Sequence, residues 1–259
     1  MSAPYLARLA AVLLVAALSA CGGGSSAPAP VLAPANADIS VLMLGNGHTE
    51  ANGLPATLAA MLRAGRPGKT VVVVNASGFL FLDERLNDAA SMNLFNSRIW
   101  NAVVLQARRY SSDGMLEYST ADAVELVRRT RQIPALPVMF PEWPRRGIDE
   151  TSRIFNLHVS IATRQSACVA PIPQAFDLAA ARYPALVLHA ADGNNAAPPG
   201  SFLAALLLYA TLTGNSPLGL PALDGIGVDA ATQGNLRAVA EDQIKLLAPR
   251  LYCPNDGTL

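Results

Sequence analysis

Apolar and polar positions alternate in blocks along this chain. Short, almost uniformly apolar runs occupy residues 41–44 (VLML), 70–74 (TVVVV), 100–106 (WNAVVLQ), 136–140 (LPVMF) and 167–170 (ACVA). Runs of this length without polar alternation predict strands covered on both faces, as in parallel sheets. Between and after them lie stretches with helical spacing, at 54–63, 120–132, 151–164, 174–182, 201–212 and 230–247. In 120–132, Ala121, Val124 and Val127 share one face with charges between them, which predicts an amphipathic helix. Residues 201–212 are apolar on nearly every side and predict a buried helix. Strands alternating with helices imply an α/β fold, a three-layer α/β/α arrangement around a flavodoxin-like parallel sheet.

Composition agrees with a large core, since 51% of the 259 residues are hydrophobic and only 15% charged. Lys+Arg and Asp+Glu both number 19. No basic field is present to draw in nucleic acid, so no nucleic-acid partner is expected.

The first 37 residues read differently from the rest. Arg8, an apolar run from Leu9 to Leu18 and then Leu18-Ser19-Ala20-Cys21 form a signal-peptide pattern too short for a mature membrane span. Leu-Ser-Ala-Cys resembles the bacterial lipobox, which implies lipidation of Cys21; ordinary secretion after a small-residue cleavage site is the alternative. Gly22 after the cysteine resembles the outer-membrane sorting pattern. Residues 1–20 are thus expected to be a lipoprotein signal peptide, with membrane attachment through the N-terminal lipid and an envelope location on the periplasmic face. Residues 21–37, rich in Gly and Ser and then in Pro and Ala, are expected to be a tether, and residues 38–259 the folded domain. With Cys21 lipidated, Cys168 and Cys253 remain as an even pair in an oxidising compartment, either as a disulfide or as two buried thiols.

The polar breaks that follow the strands carry the candidate chemistry. Gly45-Asn46-Gly47-His48-Thr49 follows the first strand, and Asn75-Ala76-Ser77-Gly78 follows the second. Gln106 ends the third, and Asp192-Gly193-Asn194-Asn195 precedes a proline and a long apolar helix. Ligands of open α/β sheets bind at the carboxyl ends of the strands. Together with Val169-Ala170-Pro171 and the run GSFLAALLLYATLTGNSP at 200–217, these blocks resemble the SGNH/GDSL hydrolases, in the bacterial branch with Gly-Asn-Ser as its first block. The resemblance runs from about residue 39 to residue 217.

In that family a serine in the first block attacks an ester carbonyl. Its backbone N–H, the second-block glycine N–H and a third-block amide stabilise the oxyanion, and a final Asp-x-x-His supplies the base. Carried over residue by residue, the resemblance implies Gly78 as the N–H donor, Gln106 as the amide and Asp192 as the orienting carboxylate. The nucleophile position is Gly47 and the base position is Asn195. Glycine has no side chain to attack with, and an amide does not take up and return a proton near neutral pH, so the serine mechanism is unavailable. The expectation is a pseudo-esterase that binds a small-molecule or glycan ester ligand.

Two other readings stay open. An active ester hydrolase with a displaced nucleophile would draw on Thr49 with His48 or His189, or on Ser111; an envelope scaffold would need none of these. His158 falls inside a helix and reads as a packed or surface residue. The loop after the fourth strand, with Glu142, Trp143 and Arg145, reads as a ligand loop in which Trp143 stacks on a sugar ring while Glu142 and Arg145 bond its hydroxyls or a carboxylate. No His/Cys/Asp cluster has metal-ligand spacing and no glycine-rich phosphate loop occurs, so no metal or cofactor is expected.

Overall fold

Every expected strand forms, within two residues of its expected ends. The computed structural model describes residues 37–259; Cys21, the signal peptide and nearly all of the tether lie outside the described residues. In chain order the elements are β1 (Ile39–Leu44), the single turn α1 (Gly47–Glu50), α2 (Leu54–Gly65), β2 (Val71–Asn75), α3 (Leu82–Asn87), α4 (Ala89–Phe95) and β3 (Ala102–Leu105). Then come α5 (Ala121–Gln132), β4 (Leu136–Met139), α6 (Thr151–Arg164), β5 (Cys168–Val169), α7 (Ile172–Arg182), α8 (Pro198–Thr213) and α9 (Ala230–Leu246). The short helices α3 and α4 were not foreseen, because their charges fall without a clear apolar face.

The strands pair in parallel in the order β2-β1-β3-β4-β5. This is the doubly wound, flavodoxin-like order, whose switch point lies between β1 and β3. The two-residue period of the strands sends alternate side chains to two cores. Val41, Met43, Val104 and Val138 pack against α2, α7, α8 and α9. Leu42, Leu44, Val103, Leu105 and Met139 face the core shared with α3, α4, α5 and α6. All of these side chains are buried, at roughly 1.5–3 kcal/mol for each large one. Helix α8 is buried from Gly200 to Thr213, which explains why its sequence carries no polar face.

At the amino-terminal end of the sheet the C-terminal tail is fastened in place. Cys168 of β5 forms a disulfide with Cys253. Arg131 pairs with Asp256 at 2.5 Å, and Arg66 donates to the carbonyl oxygen of Leu259. Cys168, Cys253 and Asp256 also lie close enough together to suggest a metal site, but sulfurs joined to each other are not thiolate ligands. The carboxyl edge at the opposite end is where the loops after β1, β2, β3 and β4 converge.

Candidate functional site

The turn after β1 is built from close contacts. A Cβ on Gly45 would sit 2.3 Å from Thr49 Cγ2, so only glycine fits there. Asn46 caps α1: its Oδ1 accepts from the His48 backbone N–H and from His48 Nδ1–H, both at 3.0 Å. Thr49 donates its hydroxyl to Asn46 O at 2.8 Å and is fully buried. This hydroxyl is closed to any substrate, which removes Thr49 as a displaced nucleophile.

From Asn46 a ring of polar contacts runs through the loops after β3 and β4 and the Asp192 loop and returns to its start. The Asn46 backbone N–H donates to Gln106 Oε1 at 3.1 Å, and Gln106 Nε2 donates to Glu142 Oε2. The other Glu142 oxygen pairs with Arg109 Nε at 3.1 Å. Arg109 Nη2 donates to Asn194 Oδ1 at 3.0 Å, and Asn194 Nδ2 approaches His48 Nε2 at 3.4 Å. Since an amide nitrogen only donates, His48 Nε2 is the acceptor and Nδ1 carries the proton held by Asn46. The ring joins the β1, β3, β4 and Asp192 loops into one unit.

These contacts change the roles expected for several residues. Gln106 is 1% exposed, its oxygen is taken by Asn46 and its amide by Glu142, so it is not poised as an oxyanion donor. Glu142 and Trp143 are 2% and 1% exposed, so neither forms a ligand-facing loop. The Trp143 ring stacks on Phe176 at 5.3 Å and its N–H donates to Asn194 O, which leaves no face for a sugar. Arg145 is spent on Glu150 at 2.8 Å. The physical reason is common to all: the loop after β4 folds inward onto α7 and the Asp192 loop instead of out over the edge.

Behind this loop sits a second charged cluster. Glu150 receives Arg109, Arg145 and the Tyr110 hydroxyl. Burial pushes its carboxyl up, but hydrogen bonds from the Arg145 side chain and backbone and from Tyr110, with the Arg109 charge, hold it at about 2. Burial and the same carboxylate push the Tyr110 phenol up to about 12. His158 is wholly buried; it accepts from Ala107 N–H and donates Nδ1–H to Ile154 O, and burial lowers its pKa, so it is a neutral packed histidine.

The Asp192 loop closes on its own carboxylate. Asp192 Oδ1 accepts from the backbone N–H groups of Asn194 and Asn195, and Oδ2 accepts from Asn195 Nδ2 at 2.6 Å. The Asn195 N–H, its side-chain amide and the Asn194 N–H hold the carboxyl below its ordinary value. His189 donates to Pro144 O at 2.8 Å and lines a cavity of about 630 Å³ that also includes Arg145, Phe176 and Leu188. Ser111 donates to Asp113 on an exposed loop, with no histidine among its partners.

One residue that dominates the edge escapes sequence reasoning. Arg85, in the helical run LDERLN of α3, has no exposed surface. Nε and Nη2 donate to Gly45 O at 3.0 and 2.6 Å, and Nη2 also to Ala76 O and Gly78 O at 3.0 and 2.8 Å. Nη1 donates to Ser77 O at 3.2 Å and Ser91 Oγ at 3.0 Å. The guanidinium thereby locks the turn after β1 to the loop after β2. Gly78, at φ +86°, needs the left-handed region that glycine tolerates. Beside it Phe79 is 75% exposed, and its ring would lie 3.1 Å from a Cβ on Gly47.

A doubly wound parallel sheet with its polar turns gathered at the β1/β3 switch point defines an α/β protein of the type that holds ligands at that edge. No known family profile matches the sequence, and no curated protein does. Solved structures do. A protein of Slackia heliotrinireducens assigned to the SGNH hydrolases is 28% identical with a TM-score of 0.53, over 67% of this chain and 98% of that one. A DUF4886 family protein of Bacteroides uniformis aligns over 85% of this chain and 97% of its own, at 14% identity and a TM-score of 0.59. A catalytic mutant of an acetylxylan esterase of Geobacillus stearothermophilus is 15% identical with a TM-score of 0.52, over 67% and 91%. The chain thus shares the α/β fold of solved SGNH hydrolases.

Proposed function

We propose that this chain is a lipid-anchored protein of the bacterial envelope that uses a hydrolase fold to bind an acylated glycan or related ester ligand, without serine catalysis. The observation that carries this reading is the state of the edge. The Asp192 loop, Gly78 and the turn after β1 persist as a frame, while Gly47 offers no nucleophile and Asn195 replaces the base on Asp192. An oxyanion hole alone leaves about a thousandfold over water, far below a dedicated hydrolase. The substitutes weighed from the sequence fare no better, because Thr49 is buried and Ser111 lacks a base. The glycan in this reading takes its motive from the fold relative that is an acetylxylan esterase. The envelope location rests on the lipobox-like Leu18-Ser19-Ala20-Cys21 alone.

The test is turnover of p-nitrophenyl acetate by the purified protein beside binding of acetylated xylo-oligosaccharides. Binding without turnover is the expected result. Turnover at ordinary esterase rates that disappears in Asp192→Ala overturns the reading.

A further inference from the structure

We propose that the part of the acylated ligand bound at the Gly47 and Gly78 N–H groups is a carboxylate and not its ester carbonyl, and that the buried charge of Arg85 selects it. The inference rests on the binding reading above and narrows its ligand.

The first ground is a buried charge with no directly hydrogen-bonded counter-ion. Arg85 is fully buried, and all six of its hydrogen bonds go to neutral acceptors, four backbone carbonyls and one hydroxyl. The nearest carboxylates, Glu50, Glu84 and Asp88, act on it through space and spend their hydrogen bonds on neutral donors. Glu50 accepts from Asn75 Nδ2, Glu84 from the Phe81 N–H and Asp88 from the Ser91 N–H. A buried cation without a hydrogen-bonded counter-ion is costly, and a ligand anion nearby recovers part of that cost.

The second ground is the direction of the donors. In a planar trans peptide the C=O and N–H point opposite ways. Arg85 draws Ser77 O inward, so the N–H of the same peptide, on Gly78, is turned outward. Neither that N–H nor the N–H of Gly47 donates to any group among the described residues. Gly45 O, one peptide before the turn, is also held by the guanidinium. The free Gly78 donor therefore lies on the far side of a peptide whose carbonyl is held by the buried positive charge.

The third ground is chemical. In a serine hydrolase such donors act on charge that develops after nucleophilic attack. Gly47 makes no such attack, so the donors meet only the charge a ligand already carries. A carboxylate presents a full charge and forms the stronger, charge-assisted hydrogen bonds; an ester carbonyl presents a fraction of it. On the facing loop, the Asp192 charge is spread over three donors from Asn194 and Asn195.

The experiment is an amide NMR titration of the protein with sodium acetate and, separately, with methyl acetate, at constant ionic strength. Acetate is expected to shift the Gly47 and Gly78 N–H resonances saturably, with affinity at least about tenfold above that of methyl acetate. In Arg85→Gln, checked for folding by its melt, the preference for acetate should collapse; in Arg85→Lys, which keeps the charge, part of it should survive. Equal or tighter binding of methyl acetate at these amides overturns the anion inference and leaves the ester-binding reading standing. Absence of any shift at these amides with either probe overturns both.

Discussion

Asn195 Nδ2 lies 2.6 Å from Asp192 Oδ2, so the carboxylate holds the amide three residues after it. A histidine at position 195 would meet that carboxylate as a ready partner.

Gly47→Ser with Asn195→His should therefore raise p-nitrophenyl acetate hydrolysis at least about a hundredfold over either single variant, the scale of a positioned general base. The new serine Cβ would meet the Phe79 ring at 3.1 Å, but that ring is largely exposed and free to swing aside. Adding Phe79→Ala should increase the rate further. No gain from the double variant in a folded protein would mean that the blocks have been matched to the wrong positions.

Reduction of the Cys168–Cys253 disulfide should destabilise the domain by about 2–4 kcal/mol, the usual range for a bridge closing a long loop. The bridge spans 85 residues and holds the tail whose Asp256 and Leu259 contact Arg131 and Arg66. Thermal melts with and without reductant measure the shift, and Cys253→Ala should reproduce it. An unchanged melt in reductant would remove the tail from the cooperative unit.

The strands and the polar breaks after them were legible because each is a local pattern, a run of apolar residues ended by glycine or asparagine. The ring through Asn46, Gln106, Glu142, Arg109, Asn194 and His48 was not, because its contacting pairs lie up to 146 residues apart and carry no shared periodicity. Trp143 misled for a related reason: an aromatic residue between prolines reads as an exposed platform, and only the approach of Phe176 from α7 shows that its faces are taken. Arg85 is the sharpest case. In LDERLN it looks like a solvated helix charge, and its true partner Gly45 is 40 residues away.

Arg85→Met should cost about 3 kcal/mol or more in denaturant titrations, because it strands the carbonyls of Gly45, Ala76, Ser77 and Gly78 in a buried site. Relief of the buried charge offsets only part of this. The loss should appear with faster amide exchange confined to the loops after β1 and β2. A neutral effect on stability would show that water replaces the guanidinium.

Acid stability should depend on Glu150. Its carboxyl is held at about 2 in the folded protein against an ordinary value of 4.5. A carboxyl depressed by folding contributes its full stabilisation above the unfolded value and loses it as pH falls towards the folded one. The contribution, at most about 3 kcal/mol from a shift of that size, is thus complete at neutral pH and fades between about pH 4.5 and 2. Other depressed carboxyls, such as Asp38 and Glu125, lie at the surface and are present in both the parent and a Glu150→Gln variant. Urea titrations of the two proteins at pH 6, 4 and 3 should show curves that converge as the pH falls. Parallel pH profiles would show that Arg109, Arg145 and Tyr110 do not hold Glu150 ionised, and that the charged cluster behind the edge does not fix the loop after β4.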